Sequence, residues 1–236
     1  MSSVEQRLKK LSERWSLPEG SASKLALLLD MVQAEQSSIT AVRQPKAGVD
    51  LHIADSLMGL DVPAVQAATR IADIGSGGGF PGLVLAVARP EAQLTLVDSV
   101  GKKTEFLRRA ADALELGNVD VVTARAEEWP AGLGVHDVVT ARALASLAVL
   151  AEYAAPLLKE GGSLVAWKGH LDPSEQAAGM AAAEILGLEA LDPLPVEPFR
   201  GADARHLYVY LKVRPTPARF PRRAGMARKR PLQASS

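Results

Sequence analysis

The chain has 236 residues, no cysteine and a formal net charge of +0, with 47% hydrophobic and 23% charged residues. This length suits one large domain, or one domain with an extension; without thiols there are no disulfides, zinc ribbons, iron–sulfur ligands or cysteine nucleophile. The start, MSSVEQRLKKLSERW, lacks a signal peptide's apolar run, and no segment reaches the roughly 18–20 apolar residues of a membrane helix, so a soluble, cytoplasmic chain without a membrane partner is expected.

The first sixty residues read as helices. Val4, Leu8, Leu11 and Trp15 fall on one helical face, and Pro18-Glu19-Gly20 ends that run. Ser21 or Ser23 is placed to cap a second helix carrying Leu25, Leu28 and Val32. A third follows Pro45, with Val49, Ile53, Leu57 and Leu60 inward. Residues 1–60 are therefore expected as a helical extension, 61–213 as the main domain and 214–236 as a basic tail.

From Ile71 strands alternate with helices. RIADIG enters a glycine turn before the helix FPGLVLAVARP, QLTLVD leads into KKTEFLRRAADALELG with Gly117 as its expected C-cap, and VDVVTA, HDVVTAR and GSLVAWKG supply three more strands. Helices are expected at 125–131 and 144–158. This alternation predicts an α/β fold with a mainly parallel sheet. LEALDPLPV and HLYVYLKV are expected to add an antiparallel pair at one edge, and Pro193 to Pro198 reads as a loop.

The neutral total conceals two halves. Residues 212–236 carry eight bases and no acid, leaving 19 bases against 27 acids in the rest. An acidic body with a basic tail suggests an anionic partner, although a solvated terminus has the same composition.

The sharpest local signal is Asp73-Ile-Gly75-Ser-Gly77-Gly78-Gly79-Phe80-Pro-Gly82. A glycine-rich turn between a first strand and a helix lets backbone N–H groups approach a nucleotide-like ligand. Phe80 occupies the third glycine position of the dinucleotide pattern; the pattern that fits, D-x-G-x-G-x-G, resembles the cofactor loop of class I S-adenosylmethionine (SAM) methyltransferases. Asp98, ending the second strand, is placed for ribose hydroxyls, and Ala126-Glu127 follows the third strand where such enzymes contact adenine. His52, Asp55 and Ser56 share a helical face but lack a nucleophile elbow, so a pocket wall or packing role is expected, not a hydrolase.

Without cysteine, covalent methylation of a pyrimidine carbon 5 is closed, and no N/D-P-P-Y/F motif for exocyclic amines occurs. Guanine N7 fits what is left, because its free lone pair needs alignment and exclusion of water more than a base. An NAD-dependent oxidoreductase and a non-catalytic RNA-binding module are the rival readings.

SSITAVRQP, LHIADSL, ADIGSGGGFPG, LVDSVGKKTEFLR, RAEEW, VVTARALASL and AWKG, in this order from about residue 36 to 170, resemble the RsmG/GidB family of 16S rRNA guanine-N7 methyltransferases. FPRRAGMARKRPL matches that family's basic C-terminal signature. The resemblance implies a class I SAM-dependent, Rossmann-like methyltransferase with an N-terminal helical extension, acting on N7 of guanine 527 of 16S rRNA or the small ribosomal subunit; a monomer without a metal is expected, since nothing in the sequence demands a partner chain. It implies a SAM site of Asp73, Gly75, Gly77, Phe80, Asp98, Ala126, Glu127 and Arg142, the last also positioning the reaction near the guanine. It further implies RNA contacts at Lys168, Arg222, Arg223, Arg228, Lys229 and Arg230, with Lys102 and Lys103 as weaker candidates. A platform for the flipped base would come from Phe80, Trp129 or Trp167.

Overall fold

A computed structural model describes residues 3–36, 39–40, 42, 44–170, 172–202 and 204–233. Ser37, Ser38, Ala41 and Arg43 of the SSITAVRQP segment, and the last three residues of the tail, lie outside these.

The strands are β1 (Arg70–Ile74), β2 (Gln93–Asp98), β3 (Val119–Thr123), β4 (His136–Arg142), β5 (Leu158–Lys168), β6 (Leu188–Ala190), β7 (Leu194–Val196) and β8 (Arg205–Lys212). They form one sheet in the order β3-β2-β1-β4-β5-β8-β6, with β7 also on β8. The first five are parallel, and β8 runs antiparallel to β5. The chain enters at the central strand and order reverses between β1 and β4, so a crevice opens beyond the carboxyl ends of those strands. This is the class I SAM-dependent methyltransferase fold.

As the sequence pattern expects, the antiparallel strands lie at one edge of the sheet: β8 pairs with β5 on one side and with β6 and β7 on its outer side. Leu207, Tyr208, Val209 and Tyr210 of β8 are all buried, the two-faced burial of a strand flanked on both sides. The short β7 lies within the proline-rich stretch expected as a loop, pairing Leu194 with Leu207.

The helices are α1 (Ser3–Arg14), α2 (Ser21–Ala34), α3 (Pro45–Gly48), α4 (Asp55–Leu57), α5 (Pro63–Ala67), α6 (Gly82–Ala88), α7 (Gly101–Ala113), α8 (Leu147–Ala154), α9 (Pro173–Leu186) and α10 (Met226–Lys229). A π-helical segment, Val49–Ala54, joins α3 to α4. Neither Ser21 nor Ser23 caps α2; Gly20 does, without a side-chain bond. Helix α7 stops at Leu114, before Gly117, because Glu115 takes the left-handed conformation at φ 52°. The helix expected over 125–131 is two short 3-10 turns. Helix α9, not expected from the sequence, covers the sheet beside α8, and Gly187 ends it at φ 85°. No helix among the described residues is long and apolar enough to cross a membrane.

Two apolar cores sandwich the sheet. Leu8, Leu25, Leu28, Leu29 and Val32 of α1 and α2 share one with Ile53, Leu83, Leu94 and Phe106, so the N-terminal helices are a layer of the main core. Each buried leucine there contributes about 1.5–3 kcal/mol relative to exposure. The other core joins α8 and α9 to the opposite face and takes in Phe220 and Ala227 from the basic tail.

Candidate active site

Two cavities of about 390 and 430 Å³ adjoin at the carboxyl ends of β1, β2 and β4 and share Gly75, Lys103 and Ala143. Both lie within the ~300–1,000 Å³ usual for small-molecule sites.

The first cleft is lined by Gly75, Asp98, Ala126 and Glu127, together with Val100, Leu144, Tyr153 and Arg228. Gly75 has φ +70°, and a Cβ there would lie 2.6 Å from Cδ1 of Leu144, so any side chain would be strained and would crowd the cleft. Asp98 is buried; Gly77 N donates to its Oδ2 at 3.0 Å and Val100 N to its Oδ1 at 2.9 Å, with Lys103 Nζ 4.0 Å away. A carboxylate has about four lone-pair positions, so two acceptors remain on a wall of the cleft, which suits a vicinal diol. Glu127 lines the same cleft, but its Oε1 accepts from Gly225 N at 2.9 Å.

Asp73 touches neither cavity. Its Oδ1 accepts from the Thr140 hydroxyl at 2.8 Å and its Oδ2 from Gly82 N at 3.1 Å. A Cβ on Gly82 would lie 2.7 Å from that Oδ2 and 2.3 Å from Leu96, so only glycine admits the contact. The acid of the glycine motif therefore ties β1, β4 and the start of α6 together, holding the loop rather than the ligand. Burial raises its pKa from 3.8 to about 6, against the lowering effect of the Thr140, Ser76 and Gly82 hydrogen bonds.

Gly77, Phe80 and Arg142, expected at the cofactor, line the second cavity instead, with Thr40, His52, Asp55 and Arg205. Arg142 ends β4 as a partly buried fork. Its Nη1 donates to Asp55 Oδ2 at 3.0 Å and Leu51 O at 2.9 Å, and its Nη2 meets His52 Nδ1 at 3.2 Å. Arg205 approaches the other Asp55 oxygen at 3.8 Å. His52 Nε2 lies 2.9 Å from Val42 O, an acceptor, so this nitrogen carries the proton and Nδ1 accepts from Arg142. Burial lowers the His52 pKa, keeping the ring neutral. The His52 ring stacks on Phe80 at 4.3 Å and 11°, with the Arg142 guanidinium 5.4 Å from the Phe80 centroid. Ser56 bonds back to His52 O at 2.6 Å and stays within the helix. His52 and Asp55 thus line the pocket while Ser56 packs inside, the wall and packing roles that their shared helical face suggested.

Of the three aromatic candidates only Phe80 reaches a cavity. Trp167 is buried and donates to Asp55 O at 2.8 Å, and Trp129 packs on His136 with centroids 5.1 Å apart. Two expected phosphate ligands are committed elsewhere. Lys168 Nζ bonds Ala145 O at 2.7 Å and Glu175 Oε1 at 2.8 Å, fastening α9 to the loop after β4. Arg222 grips buried Glu152 of α8 through both carboxylate oxygens, and that hydrogen bonding raises its pKa. Lys212, counted with the tail charges, is buried in β8 and bonds Ala155 O and Leu158 O. Arg228 lines the first cleft and, like Arg223, Lys229 and Arg230, is exposed. Lys103 lines both cavities, while Lys102 lies on the outer face of α7 beside Glu35 and Glu105. Sequence reasoning missed Leu144, Tyr153, Thr40 and Arg205 as lining residues; Arg205, at the start of β8, carried no local signal.

The chain matches the family described as GidB, rRNA small subunit methyltransferase G, over residues 22–198. A ribosomal RNA small subunit methyltransferase G of Rubrobacter xylanophilus is 39% identical, covering 98% of this chain and 92% of its own. One of Deinococcus radiodurans is 42% identical, covering 88% and 84%. Among solved structures, a SAM-dependent methyltransferase from Aquifex aeolicus superposes with a TM-score of 0.54 at 14% identity over 71% of this chain and 93% of its own. A 16S rRNA (adenine(1408)-N(1))-methyltransferase variant from Catenulisporales acidiphilia, solved with SAM, gives 0.53 at 21% identity over 65% and 89%. The chain is thus a SAM-dependent methyltransferase, and it belongs to the rRNA small subunit methyltransferase G family.

Proposed function

We propose that the protein transfers a methyl group from SAM to N7 of guanine 527 in 16S rRNA, with the first cleft holding the cofactor and the second the guanine. The names of its relatives support a small-subunit rRNA substrate. The observation that carries the choice of N7 is the state of the second cavity: every imidazole and carboxylate facing it from the described residues already has a partner. The His52 Nδ1 lone pair is taken by Arg142, and Asp55 is paired with Arg142 and near Arg205. Such a pocket does not readily remove a proton, and attack by N7 requires none.

Asp98 would bind the ribose diol, Gly75 would admit the cofactor chain, and Ala126 and Glu127 would border the adenine. Bound there, SAM supplies an electrophilic methyl on a sulfonium. The chain's own contribution is orientation. Phe80, held flat by His52, offers an apolar wall; Arg142 keeps that wall in place by joining β4 to the π-helical segment; Lys103 and Arg205 bring positive charge to the rim for phosphate. Transfer of that methyl to N7 would leave the cofactor's sulfur neutral and would ask no residue of the chain to move a proton. Alignment with water excluded provides the rate.

Unmethylated 16S rRNA incubated with the protein and SAM, digested to nucleosides and analysed by mass spectrometry, should yield 7-methylguanosine. Methylated adenosine, cytidine or uridine in its place would refute the assignment.

A further inference from the structure

The basic C-terminal segment has two differently occupied sides. Inward, Phe220 and Ala227 are buried against α8 and its surroundings. Arg222 grips Glu152, whose side chain is 2% exposed, and also donates to Arg230 O at 2.8 Å, closing the segment on itself. Gly225 N is held by Glu127, and Arg228 donates to Leu144 O at 3.0 Å. Glu127, Leu144 and Arg228 all line the first cleft. Outward, Arg219, Arg223, Lys229 and Arg230 are exposed.

We propose that residues 220–230 are a clasp closing the SAM cleft, with Arg228 in its wall, and that RNA held on the outward bases tightens cofactor binding. The second half rests on the RNA-methylating reading above.

The attachment is limited: the Arg222–Glu152 ion pair, hydrogen bonds of Gly225 and Arg228 to the cleft residues Glu127, Leu144 and Tyr153, and the packing of Phe220, Ala227 and Leu232. A terminal segment held so sparsely opens against its recovered conformational entropy. Apparent cofactor affinity is reduced by whatever fraction of molecules is open. Phosphates on Arg223, Lys229 and Arg230 reach the clasp from its exposed side, so they can hold it down without displacing Arg222 from Glu152. Coupling of this kind is reciprocal: whatever RNA gains for the cofactor, the cofactor gains for RNA.

The test is calorimetric titration of the full-length protein with S-adenosylhomocysteine, which has no methyl to transfer, with and without unmethylated 16S rRNA. Arg228→Ala should weaken binding of S-adenosylhomocysteine about tenfold without RNA, with Arg228→Lys recovering part and the thermal midpoint of the ligand-free protein unchanged. Glu152→Gln, acting through the segment, should raise KM for SAM while leaving kcat nearly unchanged and should expose the segment to proteolysis. In wild type, RNA should tighten S-adenosylhomocysteine about fivefold or more, within the usual range of allosteric coupling. The triple variant Arg223→Ala, Lys229→Ala, Arg230→Ala should lose that gain but keep wild-type affinity without RNA. An Arg228→Ala affinity within twofold of wild type would overturn the clasp. RNA that binds yet leaves S-adenosylhomocysteine affinity unchanged would overturn the coupling. Failure of RNA to bind would sink the RNA-methylating reading and the coupling, leaving the Arg228 result to decide the clasp alone.

Discussion

Replacing Arg142 with alanine separates architecture from chemistry in the second cavity. The guanidinium has a side-chain exposure of 15% and its partner Asp55 one of 2%. Removing it strands a buried carboxylate, deprives Leu51 O and His52 Nδ1 of a donor and frees the Phe80 face. Breaking a buried ion pair from one side costs about 3–5 kcal/mol. Arg205, at 3.8 Å from Asp55 Oδ1, stays in reach and offsets part of this, which places the loss at the lower end, about 3 kcal/mol. For a chain of this size that corresponds to a fall in thermal midpoint of about 6–12 °C. Urea denaturation of wild type, Arg142→Ala, Asp55→Asn and the double variant gives the cycle, and a coupling of at least about 1.5 kcal/mol is expected between the two residues. A single-variant loss below about 1 kcal/mol, or additive effects within about 0.5 kcal/mol, would refute the claim that this pair joins β4 to the π-helical segment.

Three further outcomes follow from the same geometry. Asp73 has its pKa raised to about 6 by burial, so the folded state holds a proton that the unfolded state has released between about pH 4 and 6. Stability from this group is therefore greatest at low pH and lost as pH rises through 6; relative to Asp73→Asn, wild type should gain about 2 kcal/mol between pH 7 and pH 4, and a pH-independent difference would contradict the assignment. Lys168→Ala should destabilise the fold, because Glu175 and Ala145 O lose their partner, while RNA affinity stays within about twofold; a steep loss of RNA affinity at unchanged stability would return Lys168 to the RNA interface. Removing the charges of Arg223, Lys229 and Arg230 should flatten the dependence of RNA binding on salt by about 0.7–0.9 for each phosphate no longer neutralised, and an unchanged slope would take these bases off the RNA.

Much of the parallel half of the fold was legible because its signals are local. Strand runs ending in glycine or aspartate, and helices with a 3.6 period, announce themselves within ten residues. The antiparallel pair was legible as an edge, but the short β7 was not, because the prolines around Leu194 to Val196 hide a strand that only its pairing with β8 reveals. Helix α9 lacks a sharp apolar stripe: Gly179, Ala182 and Ala183 pack closely through small residues, and a Cβ at Gly179 would lie 2.6 Å from the Tyr210 hydroxyl. At the site, Gly75, Asp98, Ala126 and Glu127, far apart in sequence, line one cleft together. Asp73 was misread because motif spacing records that a residue is required, not whether it faces the ligand or supports the loop. The tail was misread for a different reason. Composition gave its charge correctly, but Arg222 and Arg223 are adjacent bases with opposite roles, one on buried Glu152 and one in solvent, and only the folded chain separates them.

The central claim is tested most directly at the nucleotide itself. 16S rRNA is taken from cells lacking the gene, and from the same cells carrying it, then reduced with borohydride and cleaved with aniline, which breaks the chain at 7-methylguanosine. Cleavage at guanine 527 that is absent without the gene and restored with it is the predicted result; equal cleavage in both, or none in either, would contradict the account.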